Sequence, residues 1–194
     1  KGNNNAGIAG VCWDCSVMPV KVLGDDGYGD DATIGAAIQQ TAAQGVQIIS
    51  MSLGGGGYNS YLDNSISYAV DEGTTVFAAS GNDNSGSLSY PAGYSDCIAV
   101  GAMSPCNERK NFSSCDGESY WGSNYGSDLD FMTPGVRIHT ITNSGGYTST
   151  FNGTSSACPH AAGVAGLILS VAPLMTPDQV RLVMQMNADD IGNL

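Results

Sequence analysis

With 194 residues, 42% of them hydrophobic, the chain is long enough to form one domain around a sizeable core. Eighteen acidic residues against six basic ones give a formal charge of -12, which argues against nucleic acids and anionic membranes as partners because phosphate would be repelled. No apolar run approaches the ~20 residues of a bilayer span, and 27 glycines with only 12% charged residues indicate a loop-rich packed fold rather than disorder.

The chain starts at Lys1, without a signal peptide, as expected of a mature form, a proteolytic product or an incomplete sequence. Six cysteines are many for a cytosolic protein, and Cys12/Cys15 and Cys106/Cys115 are close enough in sequence to pair as structural disulfides. One CxxC without a nearby histidine makes a poor zinc site, and its flanks do not suit a redox motif.

Four short apolar runs read as strands: Met18 to Leu23, Val46 to Ser52, Thr75 to Ala79 and Cys97 to Ala102. Their near-continuous apolar character suits strands buried on both faces of a parallel sheet. Between them Ile34, Ala37, Ile38, Thr41 and Ala42 recur at helical spacing up to Gly45, and Leu62, Ile66, Ala69 and Val70 do so up to Gly73. The β-α-β-α-β order predicts an α/β fold, a doubly wound, mostly parallel sheet with helices on both faces. Ala157 to Ala172 is apolar all round and predicts a buried helix, with Gly163 and Gly166 allowing close approach of a neighbour. Thr176-Pro177-Asp178 starts a final helix by an N-cap and an N1 proline.

Two loops carry candidate chemistry. Asn152-Gly153-Thr154-Ser155-Ser156 lies at the start of the buried helix, where free N–H groups and the helix dipole favour an alkoxide and an oxyanion. From spacing alone, Ser155 is either a nucleophile or a helix cap. Ser80-Gly81-Asn82 follows a predicted buried strand, where α/β sheets bind ligands; Asn82 is either an oxyanion donor or a turn residue.

Taken together, Gly153-Thr154-Ser155-x-Ala157-x-Pro159-His160-x-Ala162-Gly163, Ser80-Gly81-Asn82, Ser50 to Gly55 and Leu129 to Gly135 resemble the subtilase (subtilisin-like) family of serine peptidases. Met18 to Gly29 and Asn3 to Gly10 match in the same order, so the resemblance covers essentially all of residues 1–194, as a partial catalytic domain. It implies a secreted, extracellular endopeptidase, expected as a monomer, that cleaves peptide or protein substrates through an acyl-enzyme on Ser155. Asn82 and the Ser155 N–H would form the oxyanion hole. Ser52, Leu53, Gly54 and Gly27, Tyr28, Gly29 would pair with the substrate main chain, and Ala79, Ser80, Gly81 with Ser89 would complete the pocket for the residue before the scissile bond. Tyr90-Pro91 matches a position where a cis bond is usual. The segment NNNAGIAG resembles a calcium loop, with Lys1, Asn4, Ala6 and Ile8 as ligands; an Asn/Gly turn without metal is the alternative.

A serine peptidase needs a general base and a carboxylate to orient it. The only histidines, His139 and His160, match no catalytic position of the family, and the family's Asp and His motifs precede the region matched here. These residues alone are therefore expected to be inactive, as part of a longer active protease. A non-catalytic peptide-binding module is the alternative reading. An α/β-hydrolase esterase fails because Ala157 stands where its Gly-x-Ser-x-Gly elbow needs the last glycine. Ser156 stands where methionine is frequent beside the nucleophile, which predicts tolerance of peroxide. Cys158 is expected to be buried and inert. Asp25, Asp26, Asp30 and Asp31 flank a predicted substrate strand and read as a solvated loop or as a mild preference for basic residues.

Overall fold

The computed structural model describes residues 5 and 7–191. In chain order the elements are α1 (Asp31–Ala43), β1 (Ile48–Met51), α2 (Ser60–Asp71), β2 (Thr75–Ala79), β3 (Ile98–Met103), β4 (Phe131–Pro134), β5 (Ile138–Ile141), β6 (Tyr147–Phe151), α3 (Thr154–Val171) and α4 (Pro177–Met186). β1 to β4 form a parallel sheet in the order β1-β2-β3-β4, and β5 and β6 form an antiparallel hairpin.

α1, α2 and α4 each begin where an N-cap side chain satisfies free N–H groups. Asp30 accepts from Thr33 N at 2.8 Å, and Asn59 from Tyr61 N at 2.9 Å. Thr176 and Gln179 form a reciprocal capping box. α1 and α2 end at Gly45 and Gly73 as the periodicity predicts.

The sheet is buried on both faces. Val76, Ala78 and Ala99 meet Ile34, Ile38, Leu62 and Ile66 of α1 and α2. Phe77, Ala79, Val100 and Ala102 meet Ala157, Ala161, Ala165 and Leu169 of α3 and Val180 of α4. Alternate residues of one strand thus feed opposite cores, as the two-residue period of a strand requires. The expected α/β architecture with helices on both faces is the one observed.

Gly163 and Gly166 of α3 do meet a close neighbour. A Cβ at Gly166 would lie 2.9 Å from Cys15 Sγ, and one at Gly163 would lie 2.8 Å from Val11 Cβ. Disulfides join Cys12 to Cys15 and Cys106 to Cys115, while Cys97 and Cys158 are free and buried.

One expected strand is absent: residues 18–23 hold no regular structure. β1 pairs only with β2, and its other edge faces a cleft of about 1280 Å³ lined by Met18, Val20 and Val22 on one side and by Ile48, Met51 and Ala162 on the other. A strand exists only through its ladder, and no backbone–backbone hydrogen bond reaches 18–23 among the described residues. Met18 and Val20 are consequently exposed despite their strand-like pattern. Sequence reasoning also named β4 only as a family segment, because its four residues are too short to show a period.

Candidate active site

Parallel strands bring their carboxyl ends to one edge of the sheet, and the predicted site residues sit there. Ser52 follows β1, Ser80 to Asn82 follow β2, and Gly135 follows β4. α3 starts above them.

Ser155 is not the cap of α3. Gly153 is, with φ 117° and ψ 167°, a conformation that a residue with a Cβ rarely adopts. Ser155 is therefore the second helical residue, and its N–H has no protein acceptor among the described residues. Its carbonyl is freed as well. Pro159, four residues on, has no N–H to offer it, and Ser52 Oγ donates to Ser155 O at 2.7 Å instead. The Ser155 hydroxyl points towards Ser52 O at 3.5 Å, a weak contact that leaves it free to react.

Asn82 is held by the same turn. Its Oδ1 accepts from Thr154 N at 2.8 Å and from Thr154 Oγ1 at 3.1 Å. A backbone N–H can only donate, so the atom facing it is the oxygen, and Nδ2 has no hydrogen-bond partner among the described residues. A Cβ at Gly153 would lie 3.5 Å from Asn82 Nδ2 and 3.6 Å from Ser155 N. Both donors thus border the space that this glycine leaves open, which suits a developing oxyanion.

The expected pocket residues also come together. Ser89 N donates to Ser80 O at 2.9 Å, and Gly55 N to Tyr90 O at 3.0 Å. A Cβ at Gly54 would lie 3.4 Å from Ser89 Cβ, and one at Gly81 would lie 2.4 Å from Ser89 Oγ. The Tyr90–Pro91 bond is cis as the resemblance implies.

Gly27, Tyr28 and Gly29 form a separate loop. Tyr28 O accepts from Gly24 N at 2.7 Å, and Tyr28 N donates to Asp26 Oδ1 at 3.0 Å. The Tyr28 main chain is therefore closed on its own turn, as is Gly27 N, which donates to Gly24 O at 3.1 Å. Lys1, Asn4 and Ala6 of the expected calcium loop lie outside the described residues. Ile8 is described, in no regular element.

Sequence reasoning missed the residue Asn124 and the supporting role of Thr154. Asn124 is 2% exposed, and its Oδ1 accepts from Asp83 N at 2.9 Å and Ser85 N at 3.0 Å, which fixes the turn that carries Asn82. Thr154 locks Asn82 from the other side and accepts from Gly81 N at 3.2 Å. Neither histidine reaches Ser155. His160 Nδ1 lies 2.8 Å from Ser156 O, and His139 Nδ1 lies 2.8 Å from Ser149 Oγ on the hairpin. Burial pushes the Cys158 thiol up to about 11, so it offers no rival thiolate near neutral pH.

A model of the subtilase family matches residues 1–194. The chain belongs to the subtilase family. It is 42% identical to subtilisin E of Bacillus subtilis (strain 168) over 195 residues, covering 98% of this chain and 48% of that protein. It is 37% identical to alkaline elastase YaB of Bacillus sp. (strain YaB) over 191 residues, with 98% and 48% covered. Among solved structures, a cold-adapted subtilisin-like serine proteinase aligns with a TM-score of 0.82 at 30% identity, covering 94% of this chain and 65% of that one. The chain thus spans about half the length of these two curated relatives. No helix among the described residues is long and apolar enough to cross a membrane.

Proposed function

We propose that this subtilase chain carries the nucleophile, oxyanion hole and substrate walls of a secreted serine endopeptidase. Ser155 Oγ would attack the carbonyl carbon of the scissile peptide bond. Negative charge gathering on the carbonyl oxygen would be met by Ser155 N–H and Asn82 Nδ2. The observation that carries this reading is the 2.8 Å bond from Thr154 N to Asn82 Oδ1, which frees the Asn82 amide beside the Ser155 N–H. Collapse of that charge would break the C–N bond and expel the amine product, protonated by the base that took the Ser155 proton. Water would then release the acyl group as a carboxylic acid and restore the hydroxyl.

The proton of Ser155 has no acceptor histidine among the described residues, so its base and the aspartate orienting it would come from outside residues 1–194. The cleft beside β1 supports that arrangement. It is lined by Ser50 to Leu53 and by Pro159, so an element filling it would stand next to the Ser52–Ser155 contact. Two disulfides suit an oxidising, extracellular compartment.

The test is a fluorophosphonate probe and a quenched peptide substrate applied to the protein made from its complete gene. Labelling at Ser155 and turnover, both abolished by Ser155→Ala, are expected. Peptide binding without either one would instead make this a non-catalytic binding module.

A further inference from the structure

The loop between β3 and β4 supplies no reacting group to the acyl transfer just described, yet its segment around Lys110 is firmly fixed. The Cys106–Cys115 disulfide closes residues 106–115 of it, and Lys110, fully buried, lies within that span. The Lys110 ammonium donates to Asn111 O at 2.8 Å, to Glu118 O, and to Asp116 Oδ1 at 3.2 Å, with the Trp121 ring centroid 5.2 Å away. Three protons meet three acceptors, so the loop is wrapped around an internal cation.

The far end of the loop approaches the nucleophile. The Glu118 carboxylate accepts from Trp121 Nε1 at 3.0 Å, from Asn152 Nδ2 at 2.7 Å and from Arg137 Nε at 3.3 Å. Asn152 stands three residues before Ser155. It is tied to the end of β4, since Arg137 N donates to Asn152 Oδ1 at 2.6 Å and Gly153 N to Gly135 O at 2.9 Å. Tyr120 breaks the pattern of burial. Its ring is 73% exposed, although its hydroxyl accepts from Asn152 Nδ2 at 3.2 Å and the next residue, Trp121, is only 7% exposed.

The sheet order fixes what lies on each flank of Ser155. Ser52 follows β1 at one edge, and Asn152 is fastened to the end of β4 at the other. A peptide whose acyl side pairs with Ser52 to Gly54 therefore leaves Ser155 towards the β4 edge, where Tyr120 stands. We propose that Tyr120 is a specificity-determining wall for the leaving-group side of the substrate, taking a bulky apolar or aromatic side chain just beyond the scissile bond. An aromatic ring already held at its hydroxyl by Asn152 loses little freedom when a side chain packs on it. The Glu118 charge is met by Arg137, so the ring rather than a charge is the recognition surface.

This inference rests on the protease reading, and the experiment separates the two. The protein made from its complete gene is given quenched peptides identical up to the scissile bond, with Phe, Leu or Gly in the two positions after it. Wild type is expected to prefer Phe and Leu over Gly in kcat/KM. Tyr120→Ala should shrink that ratio by about 3- to 10-fold, and Tyr120→Phe should keep it. A wild type without preference, an equal loss on all three peptides in Tyr120→Ala, or a Tyr120→Phe variant that loses selectivity as fully as Tyr120→Ala would overturn it. Failure of the protease reading looks different: the wild type then cleaves none of the peptides and leaves Ser155 unlabelled.

Discussion

Gly153, Thr154 and Pro159 each set one property of Ser155. Gly153 turns the chain into α3 through a positive φ, Thr154 anchors the Asn82 amide, and Pro159 leaves the Ser155 carbonyl to Ser52. The functional weight of Asn82 rests on Nδ2 alone, because Oδ1 is already engaged. Asn82→Ala should therefore lower kcat by about 100- to 1000-fold while changing KM little, a scale taken from the equivalent donor in subtilisin itself. Steady-state kinetics on the complete protein would show it, and a loss confined to KM would contradict the oxyanion role. Ser155 and Asn82 were legible because each lies in a compact motif. Thr154 was quoted in that motif, but its role depends on a partner 72 residues away that spacing does not encode. Asn124 lies in no motif, and only its burial between two turns reveals it.

At the level of elements, α1, α2, α3 and α4 were all legible, since their periodicity, caps and terminal glycines agree with one another. The strands were legible where both faces are covered, as in β2 and β3, and misleading where a ladder is required. Residues 18–23 have the pattern of a strand and lack the neighbour that would make them one. α4 offers a clean test of how far a local signal carries. Only Val180 is fully buried on it, so the Thr176–Gln179 capping box supplies much of its definition. Thr176→Ala should cost about 1 kcal/mol, read as a lower urea midpoint at an unchanged m-value. No shift of the midpoint would mean that docking through Val180 alone fixes the helix.

Across the whole molecule, Glu118 ties its neighbour Trp121 in the β3–β4 loop to pieces distant in sequence, Arg137 ahead of the hairpin and Asn152 behind it. Burial by itself would raise its pKa, but the hydrogen bonds from Trp121, Asn152 and Arg137 outweigh that and hold it below the ordinary carboxylate value. A carboxylate depressed in the folded state adds stability above its unfolded pKa, and that stability is lost as pH falls through the folded value. Asp130 acts in the opposite sense. Burial raises its pKa despite the bonds from Ala99 N and Arg181, so its contribution is full at low pH and fades as pH rises through its folded value. Acid destabilisation below about pH 4.5 should therefore be carried by Glu118 and not by Asp130. Urea unfolding at pH 7 and again near pH 3.5 separates them. Glu118→Gln should be less stable than wild type at pH 7, and the gap should narrow at the acid end because the variant has no carboxylate to protonate. A gap that stays constant across the range would mean that Glu118 contributes only as a neutral hydrogen-bond acceptor, and that its charge does not join the loop, the hairpin and the start of α3.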